Sequence, residues 1–562
     1  MAADLVTPRP SLNRQTYVKF ATHYTRLTPF SMLLQAVIFI SGGAILALEL
    51  LASRIMAPYF GVSLYIWTGI LSITLVALAV GYWSGGKLAN SRNIPAASLL
   101  ELFGLMPALA ALFIVAACLI YPFVFAPLAA WSVVAGAFVA CLILLAAPLI
   151  AASAMNPLLV AITRRAGNHE GDGGAGQVFF VSTIGSVAGV LVTAFGLIPF
   201  VSNYDAVLIV AALLAALGIA VAVFAPKALK RRARITAASV LGLLASLVLL
   251  WQADAYTGRA GVITYQGASW RVEATYRSLF GTVKIIKQEP DAEGHFSRLY
   301  FQDGLTQNAV ESDGRARSFY NYALEALALA HRPDARHALA LGLGAGMTPA
   351  RLAARGIHTE VVEIDPASLR AARRFFALDE TKTPVHQSDA RTFVQRCPRA
   401  YDVVVVDLFH GDGTPDYLIT RDFFQDLRRC LSANGIAVFN TFADLQNPVS
   451  YAHLLATLRA ALPHLALYRP ATPGATHTNS FIVASAQPLA APARVTMDHM
   501  PQRHENTLWD MLAAPVTLAP ALFDGGKIIT DARNRAALDL AHTQSVYRQT
   551  IIGFMPAQFL LN

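Results

Sequence analysis

Apolar and polar residues are distributed unevenly along the chain, and their distribution divides it into two halves. The first half contains seven apolar stretches, each near the length of about 20 residues that a helix needs to cross a bilayer. Their predicted limits are 31–53, 62–84, 98–121, 126–150, 176–200, 204–225 and 235–251. This pattern predicts a multi-pass α-helical membrane domain over residues 1–252.

The second half shows the patterns of strands and of shorter helices. Apolar and polar residues alternate between about 257 and 310, with turn signals between the runs, which is typical of antiparallel strands. After a helical pattern at 318–330, apolar strand-like runs alternate with helical stretches, which indicates a parallel, doubly wound sheet. We therefore predict a small N-terminal β-domain over 253–315, a Rossmann-like α/β domain over 316–490 and a C-terminal extension over 491–562 that packs on it.

A glycine loop lies at the centre of the predicted α/β domain. The stretch 337–365 has the order strand, loop, helix, strand, and the loop contains Gly342, Gly344 and Gly346. Glycines at this spacing let the backbone turn tightly and approach a ligand. Glu363 ends the next strand, where an acid can accept hydrogen bonds from ribose hydroxyls. The pattern favours a nucleoside-binding unit over its alternative, an ordinary tight turn with a surface acid.

Three further acids follow predicted parallel strands, namely Asp365, Asp389 and Asp407. The carboxyl ends of parallel strands meet at one edge of a sheet, and open α/β sheets bind their ligands there. A solvated strand end explains any one of these acids. Three of them beside a glycine loop indicate a ligand site.

Composition supports the division into two halves. The 562 residues are 55% apolar, with a mean hydropathy of +0.47 that is too high for a soluble protein throughout. Residues 1–252 contain 14 Lys and Arg against 6 Asp and Glu, whereas the rest of the chain is nearly balanced. The basic charge therefore belongs to membrane loops and does not indicate nucleic-acid binding.

The four cysteines are Cys118, Cys141, Cys397 and Cys430. They have neither paired spacing nor the spacing of metal ligands, and two of them lie within apolar stretches. We therefore expect neither a disulfide framework nor a metal site.

A few small and charged residues stand out within the apolar stretches. Gly185 and Gly189 form a small-xxx-small pattern, which favours close packing of helices. Glu49 and Arg54 are five residues apart and do not share a helix face, so we expect each to find a partner elsewhere in the bundle. The alternative for Glu49 is a solvated position near the membrane interface.

The segment 41–90 resembles the membrane domain of bacterial spermidine synthase-like proteins that are fused to transmembrane helices. The likeness lies in the run E-x-x-x-x-R-x-x-x-P-x-x-G, which begins at Glu49, and in G-Y-x-x-G-G-x-L-A, which begins at Gly81. The sequence GQVFFVSTIGSVAGVLVTAFGLIP at 176–199 adds to it. The resemblance implies a lipid bilayer as the setting.

The second half resembles the spermidine synthase (aminopropyltransferase) family over roughly 261–485, with a tail motif, KIITDARN, at 527–534. The matching pieces are YFQDGLTQ, the glycine loop, VVEID, SDAR and YDVVVVDLFHGDGTPDYLITRDFF. The resemblance implies a β-domain joined to a methyltransferase-like Rossmann fold. It also implies no permanently bound cofactor and an adenosyl sulfonium as co-substrate, either S-adenosyl-L-methionine or its decarboxylated form.

The site residues fall into three groups under this resemblance. Those that would bind the adenosyl co-substrate are Gly342, Gly344, Gly346, Glu363, Asp365, Asp389 and Ala390. Those that would bind the second substrate, an amine or polyamine, are Gln307 and Asp303. Those that would orient and deprotonate the amine are Asp407, His410 and Asp412, although His410 is equally well explained as a loop histidine without a chemical role.

Two departures from the family pattern keep other functions open. Ala345 stands where the family's loop carries an aspartate, and His410 stands where a second acid of the acceptor motif is expected. The first hypothesis is a membrane-anchored aminopropyltransferase. The second is another S-adenosyl-L-methionine-dependent transferase, since loss of the loop acid would remove a repulsion for the intact donor's carboxylate. The third is a non-enzymatic nucleoside-sensing module coupled to the helices. A homodimer is compatible with all three.

The sequence does not decide on which side of the membrane the C-terminal half lies. Basic clusters at the N-terminus and in the loops near Lys87, Arg164 and Lys227 alternate along the chain, so they would all face the cytoplasm of a cell (inner) membrane. Seven crossings then export the C-terminal half, whereas an adenosyl sulfonium is made inside the cell. The shortest stretch, 235–251, could instead lie at the interface. The charge rule slightly favours export.

Overall fold

The computed structural model of the chain describes residues 29–90, 94, 96–166, 174–225, 231–409, 413–445, 448–471, 477–498 and 500–561. Within these residues seven helices are long and apolar enough to cross a membrane, and this number agrees with the prediction. They are Pro29–Phe60, Leu64–Asn90, Ala97–Trp131, Val133–Arg165, Ala175–Leu197, Asn203–Phe224 and Arg232–Trp251. The fourth and the fifth each contain a π-helical turn, at Leu142–Ala146 and Thr193–Leu197.

The first and fifth apolar helices touch through glycines. A Cβ atom on Gly189 would lie 2.3 Å from the carbonyl oxygen of Gly43, and one on Gly185 would lie 1.9 Å from that of Phe39. Neither position has room for a side chain, so the two backbones pack directly against each other. The predicted packing role of Gly185 and Gly189 is confirmed.

Apart from Arg54, the basic residues of the bundle that the structure describes lie at one end. Lys87 is in the last turn of the second helix. Arg165, at the end of the fourth, donates to the carbonyl oxygen of Ala89 at 2.9 Å. The seventh helix starts beside the third, because the amide of Arg231 donates to Glu101 Oε1 at 2.9 Å. The N-terminal basic cluster, Arg92, Lys227 and Lys230 lie outside the described residues.

The C-terminal half packs on the opposite end of the bundle. The Tyr256 hydroxyl donates to the carbonyl oxygen of Leu119 at 2.6 Å. The Gln549 amide donates to the carbonyl oxygens of Ala130 and Trp131 at 3.0 and 3.1 Å. The seventh helix, with 20 residues, runs from the basic end to this one. The bundle therefore separates the basic loops from the C-terminal half.

Five antiparallel strands follow the bundle and pair in the order β1-β2-β3-β4-β5. They are β1 Ile263–Tyr265, β2 Ala268–Ser278, β3 Gly281–Gln288, β4 Ser297–Gln302 and β5 Leu305–Glu311. Val283 and Ile285 of β3 pack against Ala367 and Ala371 of the following α/β unit. The antiparallel strands predicted here are confirmed, while the division into separate domains stays a prediction.

A seven-stranded sheet forms the centre of the C-terminal half, in the order β11-β12-β10-β9-β6-β7-β8. Its strands are β6 His337–Leu341, β7 His358–Glu363, β8 Val385–Gln387, β9 Tyr401–Val406, β10 Leu431–Asp444, β11 His464–Tyr468 and β12 His477–Ser485. All of them run parallel except β12, which is antiparallel to β10 and β11.

Helices connect these strands as the sequence pattern predicts. They are Phe319–His331, Met347–Ala354, Pro366–Phe375, Ala390–Gln395, Arg421–Cys430 and Val449–Ala461. The chain runs from β6 outward to β8 and then returns to β9 on the other side of β6. Because the strand order reverses there, a crevice opens at the carboxyl ends of β6 and β9. The predicted Rossmann-like fold is confirmed.

The C-terminal extension contacts both halves of the protein. It contains the helices Gln502–Ala513, Ala536–Ile552 and Ala557–Leu560 and a 3-10 turn at Pro520–Phe523. The first of these helices buries Leu508 and Met511 against the seven-stranded sheet. The second also reaches the bundle through Gln549. The extension therefore does not pack on the Rossmann-like fold alone.

Two of the cysteines form a disulfide, contrary to the expectation from their spacing. Cys397 follows the helix Ala390–Gln395, and Cys430 ends the helix Arg421–Cys430. Their Cα atoms are 5.6 Å apart, and the sulfurs are bonded. The spacing did not reveal the pair because 33 residues separate the two, and only the packing of neighbouring helices brings them together.

Candidate active site

The glycine loop passes directly beside the end of β9. Gly342 has a φ of +96°, and a Cβ atom there would lie 2.2 Å from the carbonyl oxygen of Asp407. Only glycine permits this combination of backbone angle and close approach. Gly344 faces open space and lines the cavity at this edge of the sheet, whereas Gly346 lies outside the cavity wall. The loop thus brings the ends of β6 and β9 together in one wall of the cavity.

Glu363, the last residue of β7, holds the glycine loop in place. Its carboxylate accepts hydrogen bonds from the backbone amides of Leu343 at 3.0 Å and Asp365 at 2.7 Å. Burial raises the pKa of Glu363 to about 7, and these two hydrogen bonds oppose the shift. The carboxylate lines the cavity, and each of its oxygens can accept a further hydrogen bond. It can therefore receive a pair of ligand hydroxyls.

Asp365 and Asp389 both cap helices and also line the cavity. Asp365 accepts a hydrogen bond from the amide of Ala367 at 2.8 Å, and Asp389 accepts one from that of Thr392 at 2.8 Å. Asp389 also accepts a hydrogen bond from the Tyr417 hydroxyl at 2.9 Å. The two acids therefore have a structural role at the starts of their helices, in addition to any contact with a ligand.

Asp407 begins a chain of polar side chains at the end of β9. It accepts a hydrogen bond from the Asn440 amide at 2.8 Å, and the Asn440 carbonyl accepts one from the Asn479 amide at 3.1 Å. Burial raises the pKa of Asp407 to about 6, and the Asn440 contact opposes this. Tyr320 lies close to the same carboxylate, and its hydroxyl donates to the Gln307 carbonyl oxygen at 3.1 Å.

These groups line a single cavity of about 1040 Å³. Ligand pockets of about 300–1,000 Å³ hold drug-sized molecules, so this one has room for a nucleoside and a second substrate. One side, which we call the nucleoside side, is formed by Gly344, Glu363, Asp365, Asp389 and Ala390. The other, which we call the acceptor side, is formed by Gln307, Tyr320, Asp407, Asn440 and Asn479. A nucleoside and an amine could therefore meet between the two sides.

Three predicted site residues are placed differently or not described. Asp303 lies outside the cavity wall, where its carboxylate accepts a hydrogen bond from the amide of Thr282 at 3.0 Å. Its neighbours Gln302 and Leu305 line the cavity while Asp303 does not, and its assignment as a substrate contact stays a prediction. His410 and Asp412 lie outside the described residues, and their assignment stays a prediction.

The expectation of no metal site also stays a prediction. In the part of the chain that the structure describes, Asp291, Glu293 and His295 come close enough together to share an ion. All three are exposed in the turn between β3 and β4 and lie outside the cavity wall.

Several cavity residues were not predicted from the sequence. Asn440 lies in the apolar strand β10, so the rule that found the strand-end acids could have found it as well. Tyr320 lies at the start of a predicted helix just before the glycine loop. Tyr547 and Asn479 are far from the loop in sequence, and no local pattern identifies them.

The fold and the cavity define the class of protein: a Rossmann-like fold with a crevice at the strand ends and a carboxylate on either side of it. A family model described as the spermine/spermidine synthase domain matches residues 317–491. This match covers the glycine loop and the acids at the strand ends. The part of the chain that carries the site is therefore similar to this domain.

The individual relatives include aminopropyltransferases and a methyltransferase. A polyamine aminopropyltransferase 1 from Streptomyces coelicolor is 24% identical over 542 residues, which is 93% of this chain and 94% of that protein. A polyamine aminopropyltransferase from Vibrio vulnificus is 34% identical over 26% of this chain and 50% of its own length. An N-terminal histidine N-methyltransferase from Emericella nidulans is 33% identical over 40% of this chain. The match spans 39% of that protein.

Among solved structures, a spermidine synthase from Thermotoga maritima aligns with 44% of this chain and 85% of its own. The sequence identity is 17% and the TM-score is 0.35. At these values the alignment adds nothing to the family match.

Proposed function

We propose that this protein is a membrane-anchored aminopropyltransferase. It binds decarboxylated S-adenosyl-L-methionine and transfers the aminopropyl group to an amine, a reaction of polyamine biosynthesis. The spermine/spermidine synthase match over residues 317–491 and the aminopropyltransferase relatives support an enzyme of this kind and an adenosyl sulfonium co-substrate.

The observation that carries the proposal is the position of two carboxylates across one cavity. Glu363 ends β7 and Asp407 follows β9, on opposite sides of β6 and its glycine loop. Glu363 would accept hydrogen bonds from the two ribose hydroxyls, while Asp389 and Ala390 would line the place of the adenine. Asp407 then faces the point where an acceptor amine must lie, and Tyr320 stands beside it.

The chemistry requires alignment and removal of one proton. The amine nitrogen attacks the propyl carbon bonded to sulfur, the new carbon–nitrogen bond forms, and the carbon–sulfur bond breaks. Its electron pair stays on sulfur, so neutral methylthioadenosine leaves. The nitrogen loses one proton, and Asp407 would accept it. A carboxyl whose pKa is about 6 is mostly ionised at neutral pH and still basic enough for this step.

A second transferase function has one specific observation in its favour, the similarity to a relative named as an N-methyltransferase. Ala345 itself offers little support for the intact donor. Ala345 is 1% exposed, belongs to the apolar cluster that contains Val283 and Tyr300, and is not among the residues that line the cavity.

A product analysis tests both functions. The full-length protein, purified in detergent, is incubated with an amine such as putrescine, spermidine or agmatine and with either the intact or the decarboxylated sulfonium. Methylthioadenosine formed from the decarboxylated donor, together with an aminopropylated amine, supports the proposal. S-adenosylhomocysteine formed from the intact donor supports the methyl-transfer alternative. Binding of methylthioadenosine without any product would favour the sensing module.

We also propose that the seven apolar helices cross the membrane and that the catalytic half lies on the side away from the cytoplasm. Two independent observations support this arrangement. Apart from Arg54, the basic residues of the bundle that the structure describes lie at the end opposite the catalytic half, and basic loops remain in the cytoplasm. The bond between Cys397 and Cys430 is of the kind that persists in oxidising compartments.

A further inference from the structure

Two arginines connect the end of the first apolar helix to the walls of the cavity. Arg54 lies in the last part of the helix Pro29–Phe60, and Arg548 lies in the helix Ala536–Ile552. The side chain of Arg548 is fully buried at the junction between the bundle and the catalytic half. Each arginine contacts a segment that also forms part of the cavity wall.

Arg54 reaches the nucleoside side of the cavity. Its guanidinium donates to the carbonyl oxygen of Leu279, in the turn between β2 and β3. The next residue in this turn, Phe280, lines the cavity. The guanidinium also interacts electrostatically with Asp303 and with Asp365, which is a residue of the nucleoside side. The expectation that Arg54 pairs within the bundle is therefore wrong, since these partners lie in the catalytic half.

Arg548 joins three segments at one point. Its Nη1 atom donates to the carbonyl oxygens of Pro58, in the first apolar helix, and Asp303, in the turn between β4 and β5, both at 2.8 Å. The preceding residue, Tyr547, lines the cavity, and its ring centroid lies 4.4 Å from that of Phe442. Arg548 thus fixes the helix that carries Tyr547 to the end of the bundle.

The contact between Tyr547 and Phe442 connects this helix to the acceptor side of the cavity. Phe442 lines the cavity and pairs with Asn479 between β10 and β12. Asn479 is the outer member of the hydrogen-bonded chain that ends on Asp407. Movement of the helix Ala536–Ile552 would therefore disturb the aromatic contact beside this chain.

The junction is tightly packed. Gly304 has a φ of +91°, and a Cβ atom there would lie 2.1 Å from the carbonyl oxygen of Pro58 and 2.5 Å from Nη1 of Arg548. A buried guanidinium that lost its acceptors would be costly. The turn between β4 and β5 therefore cannot move away from the first helix without a large loss of stability.

We propose that Arg54 and Arg548 are positioning residues through which the end of the first apolar helix shapes the cavity, Arg54 on the nucleoside side and Arg548 on the acceptor side. The bundle is then part of the active-site structure as well as an anchor. This inference rests on the proposed function for the meaning of the acceptor side, whereas its nucleoside side can be tested by binding alone.

The experiment compares Arg54→Gln and Arg548→Gln in the full-length protein in detergent micelles. Methylthioadenosine affinity is measured by calorimetry, and the KM for the amine is measured in the product assay. Arg54→Gln should weaken methylthioadenosine binding about tenfold, and Arg548→Gln should raise the amine KM about tenfold, the effect expected for one lost charge-assisted hydrogen bond. In each variant the other constant should change less than about twofold. The Lys variants, which keep one charged donor, should recover part of each loss.

Arg259→Gln serves as the matched control. Arg259 lies at the same end of the bundle, 3.1 Å from Asp254 and 3.5 Å from Asp205, but it is not on the cavity wall. The Arg259→Gln substitution should lower the unfolding temperature without a selective change in the methylthioadenosine affinity or in the amine KM. The inference would be overturned if the Arg54 and Arg548 variants changed the methylthioadenosine affinity and the amine KM equally, or if they changed neither. If the unmodified protein transfers nothing, the proposed function fails, and the methylthioadenosine affinity of the Arg54 variants still decides the part of the inference that concerns Arg54.

Discussion

The backbone amide of Leu343 donates to Oε2 of Glu363 at 3.0 Å, so one carboxylate connects the glycine loop to the end of β7. The other oxygen of Glu363 accepts a hydrogen bond from the amide of Asp365 at 2.7 Å. The group assigned to the ribose therefore also fixes the backbone around the ribose. A substitution at this position acts on the ligand both directly and through the loop.

Replacement of Glu363 by alanine should weaken methylthioadenosine binding by more than about tenfold, because hydrogen bonds to a charged group contribute about 1.5–3 kcal/mol each. Isothermal calorimetry on the full-length protein measures the effect. Glu363→Gln keeps an acceptor for the loop amide, so its methylthioadenosine affinity should lie between those of the unmodified protein and Glu363→Ala. Unchanged affinity in the alanine variant would show that the ribose assignment is wrong.

Replacement of Asp407 by asparagine keeps the shape of the side chain and removes its charge and its basicity. We expect turnover to fall by about 10²–10⁴-fold, the usual contribution of a general base, while methylthioadenosine affinity changes only a few-fold. Asp402→Asn is the matched control. Asp402 lies at the start of the same strand, accepts a hydrogen bond from the amide of Arg336 at 2.9 Å and is outside the cavity wall. Full activity in Asp407→Asn would make Asp407 a structural strand-end residue.

The pH dependence of transfer should show the ionisation of Asp407. Burial raises its pKa from 3.8 to about 6, and only the ionised carboxylate can accept the proton. The rate at saturating donor should therefore fall about tenfold for each pH unit below 6 and level off above it. A pH–rate profile measures this limb. A profile that stays flat down to pH 5 would exclude Asp407 as the base.

The raised pKa of Asp407 also predicts an effect of pH on the stability of the fold. The pKa of Asp407 is higher in the folded state than the value of about 3.9 in an unfolded chain, so the folded protein holds this proton more tightly. The stabilisation that protonation provides is complete below the unfolded pKa and is lost as the pH rises through about 6. Asp407→Asn should therefore raise the unfolding temperature at pH 8 but not at pH 4. Calorimetric scans at both pH values would detect the difference, and an equal change at both would contradict it.

The structure places most of the predicted site residues on one cavity for a simple physical reason. Gly344, Glu363, Asp389 and Asp407 each lie in the glycine loop or at the carboxyl end of a parallel strand, and these ends share an edge of the sheet. Local patterns were sufficient to find them. Asp303 was proposed from the resemblance alone, and its carboxylate accepts a hydrogen bond from the Thr282 amide instead of lining the cavity.

Contacts between distant segments could not be predicted in this way. Cys397 and Cys430 meet only because their helices pack side by side, and Arg548 meets Pro58 across 490 residues. Neither contact depends on a periodic pattern or on a local motif. The role of Tyr547 in the cavity depends in turn on the position of its helix at the end of the bundle.

The last prediction concerns the side of the membrane on which the catalytic half lies. A reporter that is active only outside the cytoplasm, fused after Asn562, should be active, and the same reporter inserted at Gly173 should not. The fourth helix ends at Arg165 and the fifth begins at Ala175, both at the end of the bundle that lies opposite the catalytic half. In intact cells, Cys397 and Cys430 should also resist alkylation until a reductant is added. Activity at neither fusion, with both thiols free, would place the catalytic half in the cytoplasm. The donor supply would then need no export step, and one of the seven helices would have to lie along the membrane and not across it.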